Sequence, residues 1–369
     1  MFLQELGVSD FRNHPETRLT FQRNVSIFYG KNGQGKTNLL DAIYYLCLTK
    51  SFQVSSELLC IRDETNSFFL QGFMKSDSGL ESVIDSRLTR PDSKFISING
   101  QKIRSSSEII GQFPIVLFTL EDRLITMGTP ADRRRFLDSV LFQVSKVYME
   151  DSRKLKKAIK QRNDLLQSSG KLTASVIELF EVWTEELIRI SIPIIKRRIS
   201  FLSEFRKEIE QLYKNELAGF EHPDVRYKSG DQFIENEADI EPWLRQQSKN
   251  LRNQELDRRT TLIGPQRDDL FITLDGKETR FFASQGQHKL FLLALKIAMW
   301  TYLKEKTGET PIVLVDDIFS ELDSDRLSII SNFLPKLGQV FITMTDRETL
   351  ALQGDFDFFR VDAGRVYGG

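Results

Sequence analysis

Cysteine is nearly missing from this 369-residue sequence, and its two copies, Cys47 and Cys60, cannot build a disulfide framework. Histidine is almost as scarce. His14, His222 and His288 lack metal-ligand spacing, which excludes a histidine-based metal centre and leaves them structural or exposed. No stretch approaches the roughly 18 consecutive apolar residues that a membrane helix requires. The opening "MFLQELGVSDFRNH" has no basic segment followed by an apolar core, so an export signal is not expected and a reducing cytoplasm is. Neither sign of charge is in excess: 51 Lys+Arg against 52 Asp+Glu leave a formal net charge of −1. An anionic partner would have to be met by local basic patches. Zinc-finger, helix-turn-helix and RNP aromatic patterns are absent as well, so nothing here reads bases.

What is present starts with enough chain, 40% of it hydrophobic, for two domains with buried cores. "GKNGQGKT", comprising Gly30, Lys31, Asn32, Gly33, Gln34, Gly35, Lys36 and Thr37, matches G-x-x-x-x-G-K-[ST] at every fixed position. Its glycines let successive backbone N–H groups turn inward around phosphate oxygens. Lys36 supplies a point charge for the outer phosphates, and Thr37 a hydroxyl for Mg²⁺. The flanks agree: "NVSIFY" (24–29) reads as a buried strand, and Leu39, Leu40, Ile43 and Leu46 recur at helical spacing. A helix starting here aims its positive end at the same anion. The spacing predicts a triphosphate site.

Such a site needs a carboxylate from another strand to hold the metal. "PIVLVDD" provides it, with the apolar run Ile312–Val315 followed by Asp316 and Asp317. Asp316 is placed to meet Mg²⁺ and Asp317 to orient or deprotonate an attacking water. A carboxylate pair after a strand also caps helices, but its pairing with the glycine loop favours the site. Before it, Ser284, Gln285, Gly286 and Gln287 open an apolar helix running to Trp300, an N-cap and a second anion-binding helix end.

The order of these segments, followed by "SELD" (320–323), resembles the ABC-type ATPases. With "FRNH", "FTLEDRLITMGTPADRRRFLD", "TLIGPQRDDL" and "FASQGQHK", nearly the whole chain is similar to the SMC-like DNA-repair branch and its bacterial recombination mediators. The resemblance implies an α/β ABC-type P-loop ATPase head with ATP and Mg²⁺ as cofactors. It makes Gly30 to Thr37 the nucleotide loop, Thr37 and Asp316 the metal ligands, and Asp317, with Lys36, catalytic. Ser284 to Gln287 become a signature motif acting in trans on the nucleotide of a second copy, and Ser320 and Asp323 a D-loop. It further implies an ATP-dependent homodimer in DNA repair, binding single-stranded gaps and junctions of single- and double-stranded DNA. Recombination mediators and the recombinase would be its partners, in replication recovery and SOS induction. Asp317 stands where such ATPases usually carry Glu, the signature reads Ser-Gln-Gly-Gln, and no switch histidine follows "VFITMTD". These departures point toward slow hydrolysis, and with the resemblance they imply a weak, DNA-stimulated ATPase used as a switch. A transporter ATPase subunit is the next reading and a nucleotide kinase the third; a long helical insertion and the missing histidine disfavour the transporter.

Around this site, "SFFLQGFM", "ESVID" and "KFISINGQKI" read as an antiparallel β-layer, with Asn99-Gly100 as a hairpin turn and "FPIVLFT" a strand returning to the core. From residue 131 to 259 the texture turns helical. "SSGK" (168–171) is a break, and an apolar stripe from Val176 to Leu212 predicts a helix of about 50 Å, bent at Pro193. Residues 219–243 are polar and turn-rich and predict a loop; Asp275-Gly276 predicts a second hairpin. The expected domains are a discontinuous head, residues 1–130 plus 260–369, and an inserted helical arm, residues 131–259. Candidate DNA contacts are Arg133, Arg134 and Arg135, then Lys154, Lys156 and Lys157 within Arg153–Arg162, and the Lys196–Arg198 cluster.

Overall fold

The computed structural model describes residues 1–168, 173–215, 217, 221–318, 333, 336–346 and 355–368. The chain forms two compact units, Met1–Asp122 with Met299–Gly369, and Arg123–Ala298.

The first unit begins with β1 (Phe2–Phe11), β2 (His14–Thr20) and β3 (Val25–Tyr29), and the glycine loop then leads into helix α1 (Lys36–Leu48). Strands β4 (Ser67–Lys75), β5 (Glu81–Thr89), β6 (Ser93–Ile98) and β7 (Gln101–Lys102) follow, then α2 (Ser106–Ile109) and β8 (Ile115–Phe118). One sheet is antiparallel, ordered β2-β1-β4-β5-β6-β7. The apolar alternation of β1 changes phase, burying Leu3 and then Leu6 and Val8, because its register against β4 slips between Leu3 and Glu5. A β-bulge of this kind re-aims side chains without ending the strand. Asn99 and Gly100 both take positive φ, 52° and 76°, as a two-residue hairpin turn requires.

The second unit opens with α3 (Arg123–Met127), α4 (Pro130–Val144), α5 (Lys146–Ser168) and α6 (Ala174–Asn215). Then come β9 (Pro223–Ser229), β10 (Gln232–Phe233), α7 (Ile240–Arg258), β11 (Asp269–Leu274), β12 (Lys277–Glu278), α8 (Thr279–Phe282) and α9 (Gln285–Thr307), whose residues from Met299 on belong to the first unit. The expected long helix is α6, 42 residues with Pro193 inside it. Of the 219–243 segment, the described residues 221–243 are not the loop that polarity suggested, since they hold β9, β10 and the start of α7. Val225, Tyr227 and Ser229 alternate inward, and residues 223–228 pair antiparallel with β11, so β9 is a half-buried strand disguised by polar outward residues. This pairing also bears on the unit boundaries. The units change over at 123 and 299, whereas the sequence pattern put the changes at 131 and 260; β11 is joined to β9 and packed beneath α4.

A fully buried cation fixes three helices of this unit. Arg162 of α5 is held by Glu255 of α7 at 2.6 and 2.9 Å and by Thr184 of α6 at 3.1 Å, over the ring of Phe180. A buried charge without such partners would carry a desolvation cost of several kcal/mol, roughly.

Returning to the first unit, β13 (Ile312–Asp316), β14 (Val340–Met344), β15 (Asp357–Asp362) and β16 (Arg365–Tyr367) complete a second sheet, ordered β16-β15-β3-β14-β13-β8. All neighbours in it are parallel except β15 and β16. "FPIVLFT" supplies β8 at its edge, beside β13. Helix α1 packs on β1, β4 and β5 of the antiparallel sheet and on β13 and β14 of the parallel one. Gly72 in β4 makes room for it: a Cβ there would stand 2.9 Å from Leu46 Cδ1. Among the described residues, no helix is long and apolar enough to cross a membrane.

Candidate functional site

Strand β3 is central in the parallel sheet, and its carboxyl end delivers the chain into Gly30–Thr37. The loop is seated by two hairpins. Asn13 Nδ2 and the Gly364 N–H donate to Gln34 O at 2.9 and 3.0 Å, and His14 Nε2 donates to Gly35 O at 3.0 Å. A trans peptide points its N–H opposite its C=O, so these anchored carbonyls turn the Gly35 and Lys36 amides the other way. Gly30 and Gly35 are required by space as well as by φ (149° and 109°). A Cβ on Gly30 would lie 2.3 Å from Val361 O, and one on Gly35 2.4 Å from Asn13 Oδ1. Gly33, with φ 78°, faces open space. With the Gln34 and Gly35 carbonyls anchored outward, the Gly35 and Lys36 amides at the start of α1 are turned inward, donors of the kind that phosphate oxygens fit.

Lys36 is buried at the start of α1, and its Nζ donates back to Gly30 O at 2.7 Å and Lys31 O at 2.9 Å. Burial lowers its pKa, while the nearby carboxylates of Asp317 and Asp316 act in the opposite sense. His14 is also buried, and desolvation lowers its pKa, which keeps it neutral beneath the loop.

The carboxylates come from the end of β13, two strands away from β3. Asp316 Oδ1 accepts a hydrogen bond from Thr37 Oγ1 at 2.8 Å, joining residues 279 positions apart. It accepts a second, also at 2.8 Å, from Thr343 Oγ1 on β14. Burial raises the Asp316 pKa most strongly; the hydrogen bonds from Thr343 and Thr37 oppose this. Asp317 has a left-handed backbone, φ 51°, and its N–H donates to Thr343 Oγ1 at 2.9 Å. Such a conformation costs a non-glycine residue on the order of 1 kcal/mol or more and is typical of functional turns. Thr37 and Asp316 thus present a hydroxyl and a carboxylate side by side, hard oxygen donors suited to Mg²⁺. Among the described residues no group of three or more His, Cys, Asp and Glu could hold a metal by itself, so phosphate and water would complete any coordination.

Ser284 lies in the other unit, at the entrance to α9. Its Oγ accepts from the Gln287 N–H at 3.2 Å, and Gln287 Oε1 accepts from the Ser284 N–H at 2.7 Å, a reciprocal cap. Gln287 Nε2 donates to Glu221. Ser284 and Gln285 are exposed, and Gly286 and Gln287 half-buried. Ser320 and Asp323, the expected D-loop, lie outside the described residues.

Several arginines suggested as DNA contacts turn inward instead. Arg133 is buried, holding both carboxylate oxygens of Asp269 at 2.7 and 2.8 Å, and Arg134 donates to Asp268 O at 2.6 Å. Helix geometry explains this: consecutive residues point about 100° apart, so a run of three arginines cannot share one face. Only Arg135 of the three is exposed. Arg162 and Arg198 are interior too, Arg198 meeting Tyr148, Asp138, Tyr227 and Pro265 O. Lys154, Lys156 and Lys157 remain exposed along α5. Sequence reading missed Asn13, His14 and Thr343 as parts of the nucleotide-loop surroundings. "FRNH" was a signal for the first two; a threonine inside the apolar run "VFITM" was the faint signal for the third.

Comparison with known proteins follows this geometry. Residues 2–361 match the model of the RecF/RecN/SMC N terminal domain. The DNA replication and repair protein RecF of Chloroherpeton thalassium is 38% identical over 356 residues, covering 95% of this chain and 96% of the relative. That of Salinibacter ruber is 36% identical, covering 94% and 85%. A solved structure of the recombination mediator protein RecF-ATPrS in the RecFOR pathway superposes with a TM-score of 0.90 at 31% identity, covering 100% of this chain and 98% of that one. A Pyrococcus furiosus Smc head domain shares the fold alone, with a TM-score of 0.57 at 16% identity, covering 99% and 95%. The fold is that of an ABC-type P-loop ATPase head with an antiparallel β-layer and an inserted helical arm. From motif order, loop geometry and full-length similarity alike, the chain belongs to the RecF family.

Proposed function

We propose that this protein is an ATP-dependent DNA-binding protein of DNA replication and repair. It acts at single-stranded gaps and at junctions of single- and double-stranded DNA, where it helps other mediators load the recombinase, with roles in replication recovery and SOS induction. The observation that carries the reading is the Thr37–Asp316–Thr343 cluster beside a seated glycine loop, with Lys36 folded across it. Relatives named for DNA replication and repair, and a neighbour solved with ATPrS, support it.

In this reading the amides of Gly33 to Thr37 hold the triphosphate and Lys36 moves from the Gly30 and Lys31 carbonyls onto the outer phosphates. Thr37 and Asp316 would hold Mg²⁺, which when bound would supply charge neutralisation for the triphosphate. Asp317 orients the attacking water. An aspartate reaches less far than a glutamate, which suits slow, DNA-stimulated hydrolysis and a switch rather than a motor. Ser284 and its helix end cap the nucleotide of a second copy, making ATP the glue of a homodimer. The head is the expected ATPase domain and the helical unit the arm. Exposed lysines of α5 neutralise DNA phosphates without reading sequence. Linkage requires that DNA tighten the ATP-bound dimer by the factor with which ATP tightens DNA.

Light scattering with and without ATP and gapped DNA tests this. Wild type should pass from monomer to dimer on adding ATP. Ser284→Arg should bind ATP yet stay monomeric, and Lys36→Met should lose nucleotide-driven dimerisation. Equal dimerisation of wild type and Ser284→Arg would overturn the in-trans role.

A further inference from the structure

Strand β14 lies between the two strands that carry the halves of the nucleotide site, β3 on one side and β13 on the other. Thr343 stands in register with Phe28 of β3 and Asp316 of β13. It is fully buried among Phe341, Ile342 and Met344, where a valine would fill a similar shape without a polar atom. A hydroxyl in such a place must be hydrogen-bonded to be tolerated. Thr343 uses both of its capacities: Oγ1 donates to Asp316 Oδ1 at 2.8 Å and accepts the Asp317 N–H at 2.9 Å.

We infer that Thr343 is a positioning residue that locks the two adjacent carboxylates together, fixing the Asp316 side chain for the metal and the left-handed turn that presents Asp317. The inference rests on the nucleotide-site reading above. Its physical content is a division of labour on one oxygen. Thr37 and Thr343 donate to the same Asp316 Oδ1, and Oδ2 has no hydrogen-bond partner among the described residues. Thr37 sits on α1 and is itself a candidate metal ligand, so its hold on Asp316 changes when the metal takes its oxygen. Thr343 sits on a strand hydrogen-bonded on both sides and is no ligand, so its hold persists. The same hydroxyl orients the Asp317 peptide against its conformational preference. Removing it frees the carboxylate to rotate and the turn to relax, affecting metal and water placement while leaving the glycine loop intact. Groups of this kind, one bond removed from a metal, commonly change metal affinity or activity by about 10–100-fold.

The test uses the full chain as wild type, Thr343→Val and Thr343→Ser, with a fluorescent ATP analogue titrated in EDTA and across a magnesium series, together with ATP turnover. In EDTA the three proteins should bind the analogue within about twofold of one another, because the loop is untouched. Magnesium should tighten binding by wild type and Thr343→Ser, while Thr343→Val should require about tenfold more magnesium for the same gain. Its kcat should fall by about 10-fold or more with KM for Mg-ATP at saturating magnesium changed far less. Thr343→Ala gives the same readings should the valine variant not fold. A wild-type magnesium response and kcat in both hydroxyl-free variants would overturn the inference. So would a loss of analogue binding in EDTA by folded Thr343→Val, since that places the residue's effect on the loop. Failure of wild type to bind the analogue at all would instead remove the nucleotide-site reading.

Discussion

At the scale of single residues, the glycine loop divides its glycines by what stands opposite them. Gly30→Ala drives a methyl against the backbone oxygen of Val361 at 2.3 Å, and backbone cannot swing away. Nucleotide affinity should drop at least about tenfold and the melting temperature should fall, both read by a thermal shift series with and without ATP. Gly33→Ala meets no atom within 4 Å and bears only the cost of positive φ, about 1 kcal/mol. It should fold with a melting temperature a few degrees lower and keep much of its nucleotide affinity. The motif was legible because its residue types and spacing are local, although Gly30 and Gly35 also answer to Val361 and Asn13 elsewhere in the chain. Arg133 was not, since its partner Asp269 lies 136 positions away and no local pattern distinguishes an inward arginine from an outward one. Thr343 was hidden for the same reason: its role depends on which strands flank it.

At the scale of elements, α1, the long α6, α9 and the two Asx-Gly hairpins were readable from periodicity and turn chemistry, whereas the short α2, α3 and α8 were not. Strand β9 was not, because only three of its seven residues are buried and the sheet partner comes 40-odd positions later. What joins these elements is a polar cluster inside the helical unit. Asp268, fully buried, accepts from Tyr227 and Ser229, and Ser229 also accepts from Trp243. Burial pushes the Asp268 carboxyl up to about 6, against those hydrogen bonds and the charges of Arg198 and Arg134. Since the folded value is raised, the group favours the native state below its unfolded value of 3.8 and loses that contribution as pH rises through about 6. Urea unfolding of wild type and Asp268→Asn across pH 4 to 7 checks the sign. The stability of wild type relative to the variant should decline over that window, by on the order of 3 kcal/mol. A flat difference would mean that the carboxyl stays ionised throughout.

At the scale of the whole molecule, the near-neutral charge balance means that DNA affinity must come from a few side chains. With Arg133, Arg162 and Arg198 committed to the interior, exposed Lys154, Lys156 and Lys157 are the contacts that the proposed function calls on. Replacing these three lysines with alanine should weaken binding equally for unrelated DNA sequences. It should also flatten the log–log salt dependence by about 2 to 3, measured by fluorescence anisotropy over a salt series. The interval between the motifs is long, and where the two units change over follows strand pairing that composition does not encode. That interval also has a consequence in time. The loop at residues 30–37 is seated on Val361 and Gly364 and completed by Asp316, so a ribosome has already made the loop when most of its surroundings do not exist. At about 5–20 residues per second, the 279 positions from Thr37 to Asp316 take roughly 15 to 60 s to synthesise. Nascent chains halted before Gly364 should therefore be blind to ATP, however well their first strands have folded.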